Sequence, residues 1–233
     1  MSCALAPVAA PVMDSCIMQE LLPPCAISVE CWHDDATAQL FPEERAQLGK
    51  AIESRVQEFA TSRSLARQAL GILGQPHCPI PRGLSGEPLW PHGIVGSITH
   101  CTGYRAAAVA GPSRLASMGI DAEVHAPLPP GVVEIVLVPE ELAWLSTASN
   151  RIHWDQVLFS AKESIYKAWF PLTRRWLDFD QVVITLAPSR GAFRVRPREA
   201  MHCKHEQILN QLSGRFLIHN GIVMTSAVLP LQS

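Results

Sequence analysis

The chain has 233 residues, with 19 lysines and arginines against 21 aspartates and glutamates, a formal net charge of −2. That length holds one large domain or two small ones around a buried core, and the balanced charge excludes a protein that binds nucleic acid through bulk electrostatics. With 48% hydrophobic and 17% charged residues the chain is not of the disordered class, and no run reaches the ~18–20 apolar residues of a membrane helix.

In chain order, residues 1–13 (MSCALAPVAAPVM) carry no early Lys or Arg and read as a short extension and not as a secretory signal. Residues 1–31 read as extended or loop, because Pro23-Pro24 breaks any helix. Pro42-Glu43-Glu44 opens a helical pattern that runs to about Leu73 and is closed by Gly74. After a Pro/Gly-rich loop come two short strands, 94–99 and 105–110, split at Thr102-Gly103 as a hairpin. Residues 118–124 form another strand, Pro139 opens a short helix, and Trp154 to about Phe170 is a longer one. Strands near 181–186, 192–196 and 222–229 complete the chain. Helices mixed with short strands, without regular βαβ units, predict an α+β fold. Seven scattered cysteines, with no Cys-x-x-Cys pair, suit reduced thiols and a cytoplasmic protein.

Four groups of residues have chemistry to offer, each beside a plainer reading. Asp121 and Glu123 lie at i and i+2 of a strand, so both carboxylates project from one face about 6–7 Å apart. They are either a solvated strand end or two hard donors for a cation such as Mg²⁺. Phe159, Glu163, Lys167 and Phe170 share one face of the long helix. Glu163 and Lys167 are either a surface pair worth ~0.3–0.5 kcal/mol or a metal ligand and a phosphate ligand set among aromatics. His100, in Gly96-Ser-Ile-Thr-His100 at a strand end, is either structural or a phosphate ligand assisted by Thr99. Arg55, Arg63 and Arg67 lie along one helix, as ordinary surface charge or as forks for a phosphate. The P-loop, the dinucleotide fingerprint, His-Glu-x-x-His and Gly-x-Ser-x-Gly are all missing.

Taken in order, GSITH, SMGIDAEVH and FSAKESIYKAWFPL resemble the three blocks of the 4′-phosphopantetheinyl transferases. The likeness is to the surfactin-synthetase-activating (Sfp-type) group and its enterobactin-type branch, which carries Trp-Pro before the first block, here Trp90-Pro91. FSAKESIYKAWFPLTRRWLDF is most like the actinobacterial enzymes. The resemblance spans about Arg55 to Asp180. It implies two similar α/β halves related by a pseudo-twofold, 1–116 on the nucleotide side and 117–233 with the carboxylates, and a cleft between them as the site. It implies transfer of the phosphopantetheine arm of coenzyme A to a carrier serine, with release of adenosine 3′,5′-bisphosphate. The carriers would be those of fatty-acid, polyketide or nonribosomal peptide synthases. It further implies Mg²⁺, a monomer in the cytoplasm, and neither nucleic acid nor membrane as partner.

By the same resemblance Asp121, Glu123 and Glu163 are metal ligands. Glu163 is the base, with Glu123 the competing candidate, and an ordinary glutamate pKa of ~4.3 is expected to suffice. Lys167 contacts the phosphates, and Lys162, counted with the coenzyme A-binding residues, flanks the metal glutamate Glu163. Thr99 and His100 bind near the 3′-phosphate, and Arg55 and Arg63 hold the nucleotide end. Arg82 stands where relatives carry a lysine. Tyr166, Phe170 and Trp176 wall the pantetheine channel, with core packing the alternative for Trp176. The same residues also permit a metal-dependent hydrolase of coenzyme A or a related nucleotide pyrophosphate, or a non-catalytic module that binds coenzyme A or carriers.

Overall fold

Tyr104-Arg-Ala-Ala-Ala-Val-Ala110 sets the layering. Every residue of this strand is buried, so it needs cover on both faces. The computed structural model, which describes residues 16–111 and 114–231, supplies that cover; the expected extension at residues 1–13 lies outside the described residues. In chain order the elements are β1 (Ala26–Cys31), α1 (Pro42–Ala46), α2 (Glu53–Ile72), β2 (Val95–Cys101), β3 (Tyr104–Ala110) and β4 (Leu115–Val124). There follow α3 (Val133–Val136), α4 (Pro139–Leu145), α5 (Trp154–Thr173), β5 (Val182–Ala187), β6 (Ala192–Pro197), α6 (Cys203–Gln211), β7 (Ser213–His219) and β8 (Ile222–Pro230).

The strands form two sheets, ordered β1-β3-β2 and β4-β8-β7-β6-β5. One face of β3, Ala107 and Val109, packs on Leu65, Ala66, Ala69 and Leu70 of α2. Its other face, Tyr104, Ala106, Ala108 and Ala110, packs on Met118, Ile120, Ala122 and Met224 of the second sheet. Beyond that sheet lies α5, whose Val157, Leu158, Ala161 and Ile165 share a core with Ile184, Phe193 and Val223. The order is therefore helix, sheet, sheet, helix, an α+β fold of two halves with three strands against five. Side chains stitch the sheets together. Ser97 Oγ accepts the Ile120 N–H at 3.0 Å and Thr99 Oγ1 accepts the Ala122 N–H at 2.9 Å, so two β2 hydroxyls stand in for a strand partner. Among the described residues no helix is long and apolar enough to cross a membrane.

Two departures from the sequence pattern have physical causes. The helix expected over 42–73 is broken between α1 and α2, where Gly49 takes φ +51°. The break folds α1 back so that buried Glu44 accepts from Arg67 Nη1 at 2.8 and 3.0 Å and from the Ile80 N–H at 2.8 Å. At the other end, α5 runs one turn past Phe170, because Pro171 there removes a single N–H from the final turn.

Gly119 lets α5 approach β4. A Cβ there would stand 1.9 Å from the Ser164 carbonyl oxygen and 2.7 Å from the Ala168 nitrogen, both backbone of α5. Gly119→Ala must push the helix away, an overpacking cost of about 1–3 kcal/mol or more. Thermal unfolding is expected to drop by several degrees, and an unchanged midpoint would show that α5 shifts freely.

Candidate functional site

β4 alternates. Met118, Ile120 and Ala122 face the inter-sheet core, which turns Gly119, Asp121 and Glu123 toward α5. Asp121 is buried and fully bonded. Its Oδ1 accepts from Lys167 Nζ at 2.7 Å and from Thr99 Oγ1 at 3.3 Å, and its Oδ2 accepts from Ser160 Oγ at 2.8 Å. On α5, Ser160, Glu163 and Lys167 follow one another at spacings of three and four, so the helix presents a hydroxyl, a carboxylate and an ammonium on the face that meets β4. Lys167 Nζ also donates to the Ile120 carbonyl at 3.2 Å.

Three carboxylates around one ammonium are an excess of negative charge. Burial first, then the charges of Asp121 and Glu163, push the Glu123 carboxyl from its ordinary 4.5 up to about 7, with Lys167 opposing. Glu163 moves up for the same reasons, burial first and Asp121 second. The expected ordinary pKa is thus corrected, since both candidate bases hold their protons more tightly than a free glutamate. Burial and the same acids lift the neighbouring Cys101 thiol to about 12, so it stays protonated. Among the described residues no three His, Cys, Asp or Glu side chains already form a metal cage. The chemistry of the set, hard oxygen donors whose charges oppose one another's ionisation, nonetheless fits a hard divalent cation that replaces the proton.

Across the β2 edge lies a basic pocket of ≈ 100 Å³ lined by Arg55, Phe59, Ser62, Arg63, Arg82, Gly86, Pro88, Ile98 and His100. Phe59 organises it, since the guanidinium carbons of Arg63 and Arg82 lie 4.2 and 5.0 Å from its ring centroid. Arg63 is further fixed by Nε donating to the Ile80 carbonyl at 2.7 Å; burial lowers its pKa to about 10, which leaves it charged at neutrality. His100 is driven down to about 4 by burial and by the cations Arg55 and Lys167. Its ring is therefore neutral at pH 7, with Nε2 3.2 Å from Arg55 Nη1.

A second cavity, of ≈ 210 Å³, runs between the halves. Ser85–Pro88, Trp90 and Gly96–Ile98 form one wall, and Glu163, Tyr166, Lys167, Phe170 and Pro171 form the other. It shares Gly86, Pro88 and Ile98 with the basic pocket, so an anion site and a largely apolar channel adjoin. Glu87 closes the channel's outer edge through an ion pair to Arg174 at 2.7 Å.

Residues 43–110 match the family described as 4′-phosphopantetheinyl transferase N-terminal domain, and residues 117–221 match the 4′-phosphopantetheinyl transferase superfamily. The chain is 44% identical over 212 residues to 4′-phosphopantetheinyl transferase Svp of Streptomyces mobaraensis, covering 88% of this chain and 86% of that one. It is 45% identical over 222 residues to 4′-phosphopantetheinyl transferase Npt of Nocardia iowensis, covering 90% and 98%. It is also 41% identical over 205 residues to 4′-phosphopantetheinyl transferase PptT of Mycobacterium tuberculosis (strain ATCC 25618 / H37Rv), covering 86% and 90%. The chain belongs to the 4′-phosphopantetheinyl transferase superfamily.

Within this transferase fold the sequence-derived residues divide. Asp121, Glu123, Glu163 and Lys167 come together where β4 meets α5, Arg55, Arg63, Arg82 and His100 come together in the basic pocket, and Tyr166 and Phe170 line the channel. Three others lie apart from these two cavities. Lys162 turns away from the cleft into the core, where Nζ pairs with Glu141 at 2.7 Å and donates to the Val136 and Phe179 carbonyls. Thr99 is buried beneath Asp121 and lines neither cavity, because its hydroxyl is taken by β4. Trp176 is 67% exposed; its ring lies 4.9 Å from that of Tyr166, outside the channel and not in the core. The sequence motifs assign no role to Ser160, Ser97 or Trp90. Ser160 has a signal, as a hydroxyl in phase with Glu163 and Lys167 on one face of the helix.

Proposed function

We propose that this protein transfers the 4′-phosphopantetheine arm of coenzyme A to a serine of acyl or peptidyl carrier proteins, those of fatty-acid, polyketide or nonribosomal peptide synthases. Adenosine 3′,5′-bisphosphate is released. The observation that supports this reading is that the arginine pocket adjoins the channel beside Glu163 and Lys167, in a chain of this family.

Arg55, Arg63, Arg82 and His100 hold the nucleotide end, and the channel between Trp90 and Phe170 takes the pantetheine arm. Asp121, Glu123 and Glu163 would hold Mg²⁺, which when bound neutralises negative charge on the pyrophosphate. Glu163 takes the proton of the carrier serine. The serine oxygen bonds to the β-phosphorus in line with departure of the bisphosphate. Glu163 is favoured over Glu123 as base because it lines the channel and Glu123 does not. Lys167 leaves Asp121 for the phosphates. In this reading residues 1–116 supply the nucleotide side and 117–233 the carboxylates, the chain works as a monomer in the cytoplasm, and neither nucleic acid nor membrane is a partner.

Mass spectrometry of a carrier protein incubated with the enzyme, coenzyme A and Mg²⁺ tests the reading. Addition of the arm to the carrier is expected. Phosphopantetheine appearing free would point to a hydrolase, and binding without turnover to a non-catalytic module.

The raised carboxyls add a pH prediction. Because the folded state holds the Glu123 proton more tightly than the unfolded state, this group's stabilising contribution is full below about 4.5 and is lost as pH rises through about 7. Mg²⁺ displaces that proton, so it is expected to raise the melting temperature more at pH 8 than at pH 6. Glu123→Gln should flatten the metal-free pH slope and shrink the Mg²⁺ effect; equal Mg²⁺ shifts at both pH values in the parent protein would count against metal binding at Glu123.

A further inference from the structure

The three arginines of the basic pocket are not equivalent. Among the described residues Arg63 and Arg82 have no carboxylate in ion-pairing range, whereas Arg55 Nη1 is paired with Glu58 Oε1, one turn along α2. Glu58 is held from both sides. Its Oε1 lies 3.6 Å from His100 Nε2, and its Oε2 lies 3.7 Å from Arg105 Nη2. Arg105 is in turn clamped by both oxygens of Asp34 at 3.0 and 3.1 Å. The glutamate side chain is 20% exposed, so its charge is only partly screened by water, and it stands directly behind Arg55 and His100, which line the pocket. A phosphate that enters this pocket meets a carboxylate already paired with Nη1 of Arg55, and must share that arginine with it.

We propose that Glu58 is a built-in counter-anion that sets the affinity of the pocket for the phosphates of its nucleotide. By competing for Arg55 and repelling the incoming dianion it weakens the grip on coenzyme A and on adenosine 3′,5′-bisphosphate alike. Its use is at the end of the cycle. The leaving nucleotide keeps the phosphates that the arginines recognise, and a pocket of unopposed arginines would release it slowly. The inference rests on the functional reading above. Its rival is that Glu58 merely props Arg55 in place, and the two predict opposite signs: removing a prop weakens phosphate binding, whereas removing a competitor strengthens it.

Calorimetric titration of coenzyme A, dephospho-coenzyme A and adenosine 3′,5′-bisphosphate into the parent protein and Glu58→Gln decides the matter. Glu58→Gln is expected to bind coenzyme A and the bisphosphate about 3–10-fold tighter, with KM for coenzyme A and kcat falling together as release slows. A smaller gain for dephospho-coenzyme A assigns the effect to the 3′-phosphate, and an equal gain assigns it to the pyrophosphate. Glu58→Ala must show the same sign, with folding of both variants checked by circular dichroism. Unchanged or weaker binding in these variants overturns the inference while leaving the functional reading intact. A parent protein that neither binds coenzyme A nor labels a carrier takes down both.

Discussion

Glu163→Gln is expected to abolish arm transfer while the fold survives. The substitution keeps the shape and removes the charge. In the structure no described residue donates a hydrogen bond to Glu163, which interacts with Asp121 and Lys167 through charge alone, so nothing that holds α5 is lost. Asp121 is different: it carries three donors, from Lys167, Thr99 and Ser160, and Asp121→Ala would strand all three in a buried site. Glu163 is therefore the cleaner probe of chemistry. Removing a general base costs 10²–10⁴-fold, typically about 10³, and in the proposed function a metal donor would go with it. Initial rates of carrier labelling by mass spectrometry should fall by about that factor, with a melting temperature equal to or slightly above the parent's, because one of three mutually repelling carboxylates is gone. A near-parental rate would hand the base role to Glu123, whose pKa of about 7 already equips it to accept a proton.

How far the sequence alone could lead depended on whether the determining contact was local. The hairpin β2–β3, the strand with Asp121 and Glu123, and the α5 face with Glu163 and Lys167 were legible because period and turn residues lie within ten positions of one another. The partner strand β7, absent from the expected strands, has a local signal nonetheless: Asn220 and Gly221, at φ +47° and +75°, are the pair that closes a two-residue hairpin and imply a strand before it. β1 was read only as extended chain, since Pro23-Pro24 obscures its start. The break between α1 and α2 could not be read, because its cause is tertiary, the burial of Glu44 against Arg67 and Ile80. Side-chain direction was the larger difficulty. Resemblance assigns Thr99 and Lys162 to the ligand by sequence adjacency to His100 and Glu163, yet neighbours on a strand or helix point to different faces. Adjacency in sequence therefore brings neither of them to the cavity that its neighbour lines.

Lys162 gives that point its sharpest test. Side chains of Lys162 and Glu141 are each only 1% exposed, and together they tie four segments: Lys162 Nζ donates to the carbonyls of Val136 and Phe179 at 2.7 and 2.8 Å. Glu141 in turn accepts the Val138 and Ile184 N–H groups at 3.0 and 2.7 Å. Burial lowers the lysine's pKa and Glu141 opposes that shift. Lys162→Met fills the same space but leaves the Glu141 carboxylate buried without its counter-charge, a loss of about 3–5 kcal/mol. At roughly 2–4 °C per kcal/mol for a chain of this size, the melting temperature is expected to drop by about 10 °C. Pairing it with Glu141→Leu should recover part of the loss, because the uncompensated charge goes too, though two backbone N–H groups then lack an acceptor. Coenzyme A affinity, measured well below the transition, should be unchanged, since Lys162 lines neither cavity. The opposite pattern, full stability with coenzyme A binding lost, would return Lys162 to the phosphates and mean that the core pairing with Glu141 gives way when ligand binds.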